Sequence, residues 1–368
     1  MGKTRIFYKP SQTCIKTKVV IMKLMTRSAL IAPLLLLASC SSNAEKNAVK
    51  PYKPLTVDLI SVSSSYDETK VDSLKENLEM LGMKVNTRYF DQTISDLGYV
   101  NLDDNRVTSL INAIKAPDSD LVWFIRGGAG ALNLLPALEQ YTDELKQHPA
   151  KPIIGYSDVT AIHHFLNNIV GWPSVHGIVA AYNSEIEAMS DEPKLPEKED
   201  TSNARESIAR LHQSLYEGVY YDRLLPLNDA AKQGVSGELR GGNLTLFQAT
   251  IGTRYEADLT DKILVLEDVN EGYRKIDRVL HQLEYADNLN AAGVVFGQFH
   301  SIDANDAERL IYKTVLENYA KRVSIPVYYY PYIGHGFYNR PVFLGKTAEL
   351  ACAGKNYCSL KQEKLLSE

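Results

Sequence analysis

Apolar residues recur along this chain in two rhythms. Short stretches of strand length, rich in consecutive apolar residues, run from Leu55 to Val62, Met83 to Tyr89, Asp120 to Ile125, Ile153 to Ile154, Ile263 to Leu266 and Ala291 to Phe296. Between and after them, Val71 to Leu81, Asn105 to Ile114, Ala131 to Tyr141, Thr160 to Leu166, Asn203 to Tyr216 and Ala307 to Tyr319 carry the spacing of amphipathic helices. Strands that alternate with helices predict an α/β fold, a parallel sheet covered on both faces. Ligands then gather beyond the carboxyl ends of the strands.

Three of those ends hold candidate chemistry. After Ile153-Ile154, Gly155 permits a bend and Ser157 falls at the tip of a strand-turn-helix, ahead of Thr160 to Leu166. A serine there projects its hydroxyl from the sheet edge beside free backbone N–H groups, as a nucleophile next to an oxyanion site requires. Equally, Ser157 could cap the helix, with Asp158 favouring its dipole, because Gly-x-Ser-Asp-Val lacks the closing glycine of the usual elbow. Arg126-Gly127-Gly128-Ala129-Gly130 follows another strand and precedes a helical run, so its backbone can approach an anion or a developing oxyanion. Asn133 stands where a dinucleotide fingerprint needs its third glycine, which argues against a nucleotide site. Glu267 and Asp268 close the run Ile263 to Leu266; they could act as acid and base, bind a metal, or cap the helix that starts near Tyr273. No His or Cys nearby completes a metal set. His335, between Gly334 and Gly336, reads as an uncrowded loop histidine suited to acid/base work near neutral pH.

Composition narrows the class. With 368 residues, 45% hydrophobic content and a net charge of -5, the chain can bury a large core, and nothing in it suggests binding to nucleic acid. Its cysteines, Cys14, Cys40, Cys352 and Cys358, form no zinc pattern; Cys352 and Cys358 could close a small loop in an oxidising compartment or remain two thiols. Lys23 and Arg27 precede the apolar stretch Ala29 to Ala38, which is too short to span a bilayer and reads as a secretory signal. Residues 1 to 21 fit no signal architecture, so Met22 or Met25 is a candidate start. Leu37-Ala38-Ser39-Cys40 resembles the bacterial lipobox, which makes Cys40 the expected lipidation site. By that resemblance a serine after the cysteine favours the outer membrane of a Gram-negative cell, on the periplasmic side.

Ser157, Glu267 and His335 stand in the order Ser, acid, His. Together, Arg126-Gly127-Gly128-Ala129-Gly130, Ile154-Gly155-Tyr156-Ser157-Asp158-Val159-Thr160-Ala161, Arg240-Gly241-Gly242-Asn243-Leu244, Leu264-Val265-Leu266-Glu267-Asp268-Val269 and Ile333-Gly334-His335-Gly336 resemble the LD-carboxypeptidases, serine peptidase family S66. Related members hydrolyse the peptide antibiotic microcin C. The resemblance runs from about Leu55 to Leu350. It implies an N-terminal flavodoxin-like domain with the nucleophile and a smaller C-terminal α/β domain with the Glu and His, the active site lying between them. It also implies Ser157 as nucleophile, His335 as base and Glu267 as its orienting partner. The backbone N–H groups of Asp158 and Gly128 form the implied oxyanion hole, and no cofactor is needed. Arg126 is either a clamp for a substrate carboxylate or a structural ion-pair partner.

The reaction so implied is cleavage of the L-D amide before a C-terminal D-alanine in a murein tetrapeptide. Ala129 and Asn133 depart from the Tyr and Arg common in the family, which opens the alternative of another peptide or an acylated amino-acid conjugate. A non-catalytic peptide-binding lipoprotein would have lost a member of the set Ser157, Glu267, His335, and none is lost. Expected partners are a short murein-derived peptide and, through Cys40, the membrane, with a homodimer left open. The expected organisation is a signal segment over 1–39, a tether over 40–54, the nucleophile domain over 55–183, a polar linker over 184–232 and the second domain over 233–368.

Overall fold

The computed structural model describes residues 52–181, 202–286, 290–301, 305–336, 338–354 and 356–367. The signal segment, Cys40 and the polar stretch 183–201 lie outside the described residues.

The first half builds a sheet from β1 (Thr56–Ile60), β2 (Lys84–Asn86), β3 (Leu121–Phe124), β4 (Ile153–Gly155) and β5 (Ser174–His176). Helices α1 (Val71–Glu79), α2 (Asp103–Lys115) and α3 (Thr160–His164) connect them. The strands are parallel and lie in the order 2-1-3-4-5, the flavodoxin-like order, whose crevice opens where β1 and β3 diverge. Trp123, Phe124, Ile153 and Ile154 are fully buried, as the consecutive apolar runs require of strands covered on both faces. A sixth strand, β11 (Val342–Leu344), joins from the far end of the chain and runs antiparallel to β5.

Two helices differ from their sequence pattern. The run after Gly130 is broken into short turns, Ala131–Leu134, Leu135–Leu138 and Glu139–Tyr141, followed by Thr142–Gln147. Pro136 explains part of this: it fits only the first turn of a helix, where its missing N–H costs nothing. Beyond α3 the chain widens into a π-helix, Phe165–Val170, which ends at Gly171.

The second half is a closed barrel, in the order β10-β6-β13-β12-β7-β8-β9. Its strands are β6 (Val219–Pro226), β7 (Val235–Asn243), β8 (Lys262–Val269), β9 (Gly293–His300), β10 (Val327–Tyr329), β12 (Thr347–Cys352) and β13 (Cys358–Gln362). Helices α4 (Ser202–Glu217), α5 (Leu244–Gln248), α6 (Tyr273–Tyr285) and α7 (Asp306–Arg322) accompany it. β6 precedes residue 233 and β11 lies beyond it, so each sheet takes in chain from outside the stretch from which its part was expected. Cys352 and Cys358 face each other across the β12–β13 hairpin and are joined as a disulfide.

One apolar core runs from the sheet into the barrel: Ile154 and Val175 belong to the same cluster as Leu239, Val265 and Ile333. A second core fills the space between β8, β9 and the helices α6 and α7. The continuous core fixes the carboxyl ends of the sheet against the carboxyl ends of β7 and β8.

Candidate active site

Ser157 follows β4 after one residue, Tyr156, and begins a turn of 3-10 helix, Ser157–Val159, that leads into α3. Its φ is 63°, a left-handed conformation that costs a residue with a Cβ about 1 kcal/mol. The helix-cap reading does not hold, because no side-chain cap bond closes either the turn or α3. What the strain achieves is exposure: Ser157 is half-buried at a bend whose flanking residues, Tyr156 and Asp158, are buried.

The glycine loop lies against this turn. A methyl group on Gly127 would stand 2.9 Å from Ser157 Cβ and 3.2 Å from its Oγ. The two are bonded as well as packed, since the Asp158 carboxylate accepts from the Ala131 N–H at 2.8 Å. Burial pushes that carboxyl upward in pKa, against the pull of Ser63 and of the Ala131 N–H. Gly128 and Ala129 sit on the exposed side of the loop, with the Ala129 N–H donating to Ser64 Oγ at 3.1 Å. Arg126 donates from Nη1 to the Ser65 carbonyl at 2.7 Å, which ties the loop to the segment that follows β1.

Glu267 comes from the other half, near the carboxyl end of β8, and is fully buried. His335 Nδ1 donates to its Oε2 at 2.6 Å. Burial alone would raise the pKa of Glu267, yet His335 and His176 outweigh it and hold the carboxyl well below the usual carboxylate range. The setting of His335 differs from the open loop read from its flanking glycines. It is 7% exposed, and Gly334, at φ 106°, is where the loop presses onto the carboxylate: a Cβ there would lie 2.5 Å from Glu267 Oε2. The small neighbour thus serves close approach of the histidine to its acid, rather than mobility.

Two contacts bring the halves of the site together. The Tyr156 ring packs on the His335 ring with centroids 4.5 Å apart, so the residue before Ser157 touches the imidazole. The Asn243 N–H, at the end of β7, donates to Thr160 Oγ1 at 2.9 Å, and Gly242 allows it: a methyl there would come 2.6 Å from that oxygen. Asp268 supports the same junction. Its carboxylate accepts from Asn243 Nδ2 (3.0 Å), from the Thr245 N–H (3.0 Å) and from the Thr245 hydroxyl (2.9 Å). It therefore braces the start of α5 and not the helix near Tyr273, which Gly272 precedes without a side-chain cap. Burial first, then the neighbouring charge of Glu267, raises the Asp268 carboxyl to about 6. Among the described residues no cluster of three metal-ligating side chains occurs.

His176 joins the site from outside the segments that the sequence singles out. It lies at the end of β5, fully buried, with Nε2 3.5 Å from Glu267 Oε1. No local pattern announces this, because the contact joins the sheet to the barrel. His163 and His164, in α3, are packing residues: both are buried, His163 donates from Nε2 to the Gly155 carbonyl at 2.9 Å, and burial lowers its pKa to about 3.

A strained serine at a strand end, a glycine loop beside it, and a buried Glu-His pair in ring contact with the serine's neighbour form a candidate hydrolytic site at the junction of two unlike halves. Residues 57–177 match the LD-carboxypeptidase N-terminal domain and residues 236–350 the LD-carboxypeptidase C-terminal domain, of peptidase family S66. The chain is 31% identical over 303 residues to a provisional carboxypeptidase of Rickettsia conorii, covering 81% of this chain and 88% of that one. It is 32% identical over 251 residues to the murein tetrapeptide carboxypeptidase of Pseudomonas aeruginosa, covering 67% of this chain and 77% of that one. In fold it is similar to an MccF-like protein from Bacillus anthracis, with a TM-score of 0.65 at 19% identity over 85% of this chain and 98% of the other. A muramoyltetrapeptide carboxypeptidase from Oxalobacter formigenes gives a TM-score of 0.64 at 20% identity over 84% and 99%. The chain belongs to the LD-carboxypeptidase family S66. It is a hydrolase, a serine-type carboxypeptidase.

Proposed function

We propose that this protein removes the C-terminal D-alanine from murein tetrapeptides by a Ser157, His335, Glu267 triad. The observation that carries the reading is the His335–Glu267 bond, 2.6 Å long and buried, packed on the residue that precedes a serine at φ 63°. His335 Nε2 takes the proton of Ser157 as the hydroxyl attacks the amide carbonyl. The same proton then passes to the leaving amine of D-alanine, and water releases the tripeptide acid from the acyl-enzyme. Glu267 fixes the ring with Nδ1 as the donor, so that Nε2 carries the lone pair that accepts. The N–H groups of Asp158 and Gly128 receive the oxyanion, each contributing on the order of 3 kcal/mol. Arg126, whose Nε has no partner among the described residues, offers its remaining donors to the terminal carboxylate of the substrate.

Similarity to the Pseudomonas murein tetrapeptide carboxypeptidase supports this choice of substrate. Incubating the full chain, solubilised in detergent, with murein tetrapeptide should yield the tripeptide and free D-alanine by mass. An unchanged tetrapeptide would remove the substrate assignment. One observation favours a second reading, hydrolysis of an acylated amino-acid conjugate such as a microcin C-like compound: Ala129, on the loop beside Ser157, and Asn133, in the short turn that follows it, are both exposed. Turnover of the two substrates side by side separates the readings by their kcat/KM.

We further propose that Cys40 is acylated and holds the enzyme at the periplasmic face of the outer membrane. Two acyl chains anchor stably where one does not, and the disulfide between Cys352 and Cys358 fits an oxidising compartment. Cys40→Ala should move the protein from the membrane fraction to the soluble fraction of the cell. Equal membrane recovery of the variant and the parent would rule the anchor out.

A further inference from the structure

Glu267 has two oxygens, and the proposed triad uses one of them. Oε2 holds His335; Oε1 is buried and has no hydrogen-bond partner among the described residues. The atom that faces it, at 3.5 Å, is Nε2 of His176, which is likewise buried and unpartnered. Buried polar atoms are hydrogen-bonded in the great majority of cases, because leaving one bare costs about 1–3 kcal/mol. A donor and an acceptor so placed, about half an ångström beyond ordinary hydrogen-bond distance, are each other's nearest candidate partner, and catalytic hydrogen bonds that are long without substrate commonly shorten in its complex.

We propose that His176 is a positioning residue for the reaction: donating from Nε2, it fixes Glu267 Oε1 so that Oε2 stays aligned with His335 Nδ1. The inference rests on the triad reading and adds a fourth member to it. His176 is well placed to be rigid. It ends β5 between β4 and β11, paired with Gly155 on one side and Val342 on the other. Gly242 of the barrel meets its ring edge: a methyl there would stand 3.3 Å from His176 Cδ2. The titratable groups around it are Glu267, the Tyr156 ring at 6.1 Å and the His163 ring at 6.3 Å between centroids, with His335 beyond the carboxylate. Among the described residues no Lys or Arg pairs with Glu267, and the side chains that face its two carboxylate oxygens are His335 and His176. The contact also joins the two halves of the fold, since His176 comes from the sheet and Glu267 from the barrel. A donor there makes the alignment of the acid depend on the closed arrangement of both.

Four full-length proteins test this: the parent, His176→Phe, His176→Gln and Ser157→Ala, each checked by thermal unfolding and assayed for D-alanine release across pH. His176→Phe keeps an aromatic of similar shape without the donor, and its kcat should fall by about tenfold or more with KM within about twofold. His176→Gln places an amide N–H where Nε2 stood and should recover most of that loss. Without the donor the full charge of Glu267 faces His335, so the acid limb of kcat/KM should move to higher pH in His176→Phe and stay in place in His176→Gln. A kcat equal to the parent in the phenylalanine variant, an equal loss in both variants, or an acid limb that does not rise would each overturn the assignment. If His176→Phe fails to fold, the glutamine variant decides alone: near-parental kcat upholds the donor and a large loss refutes it. Activity surviving in Ser157→Ala would instead condemn the triad reading itself, so the two failures are distinguishable.

Discussion

Ser157→Ala is expected to reduce D-alanine release by about 10⁴-fold or more while leaving the fold and the binding of the tetrapeptide intact. The glycine loop packed against Ser157 presents Gly127, Gly128 and Ala129, which carry no nucleophilic side chain. Residual hydrolysis would come from the oxyanion donors and from binding alone. Ser157→Gly gives a sharper check, because glycine adopts φ 63° without the steric cost a serine bears. That variant should be equally inactive yet unfold at a higher temperature, by the equivalent of about 1 kcal/mol. A glycine variant both inactive and less stable than the parent would mean that the backbone at this bend is unstrained, and the case for a tensioned nucleophile turn would be lost.

The strand and helix pattern of the first half was legible because both faces of its sheet are covered. Runs such as Ile153-Ile154 and Leu121 to Phe124 are then continuously apolar and stand out from the polar loops between them. The barrel was harder to read. β6, with its alternating buried and exposed positions, and the hairpin β12–β13 offer one face to solvent and resemble ordinary polar chain at the level of composition. Their placement depends on partners distant in sequence, β6 beside β10 and β13, which no local period encodes. The same distinction applies to the site. Ser157 and the glycine loop were visible as breaks after strands, and His335 as a histidine between glycines. The purpose of Gly334 was misread, because its close approach to Glu267 exists only once β8 lies beside that loop. His176 was invisible for the same reason: it is a polar residue ending a short strand until the barrel brings a carboxylate to within 3.5 Å.

Glu267→Gln separates the electrostatic part of the proposed triad from its geometry. The amide is nearly the same size and can still accept from His335 Nδ1, but it carries no charge to stabilise the imidazolium that forms as Ser157 attacks. A loss in kcat of about 10³- to 10⁴-fold is expected, with KM nearly unchanged because Glu267 is fully buried behind the histidine. Stability supplies an independent reading through pH. The carboxyl sits below its ordinary value of 4.5 in the fold, since His335 and His176 outweigh the burial that opposes ionisation. A depressed folded pKa contributes stability that is present above the unfolded value and lost as pH falls through the folded one. The parent should therefore lose stability on passing from about pH 5 to about pH 3.5 by more than Glu267→Gln does, and the gap between their urea midpoints should narrow. A gap that stays constant over that interval would show that Glu267 is not held ionised by its histidines, and the charge-based role would have to be abandoned even if the hydrogen bond to His335 persists.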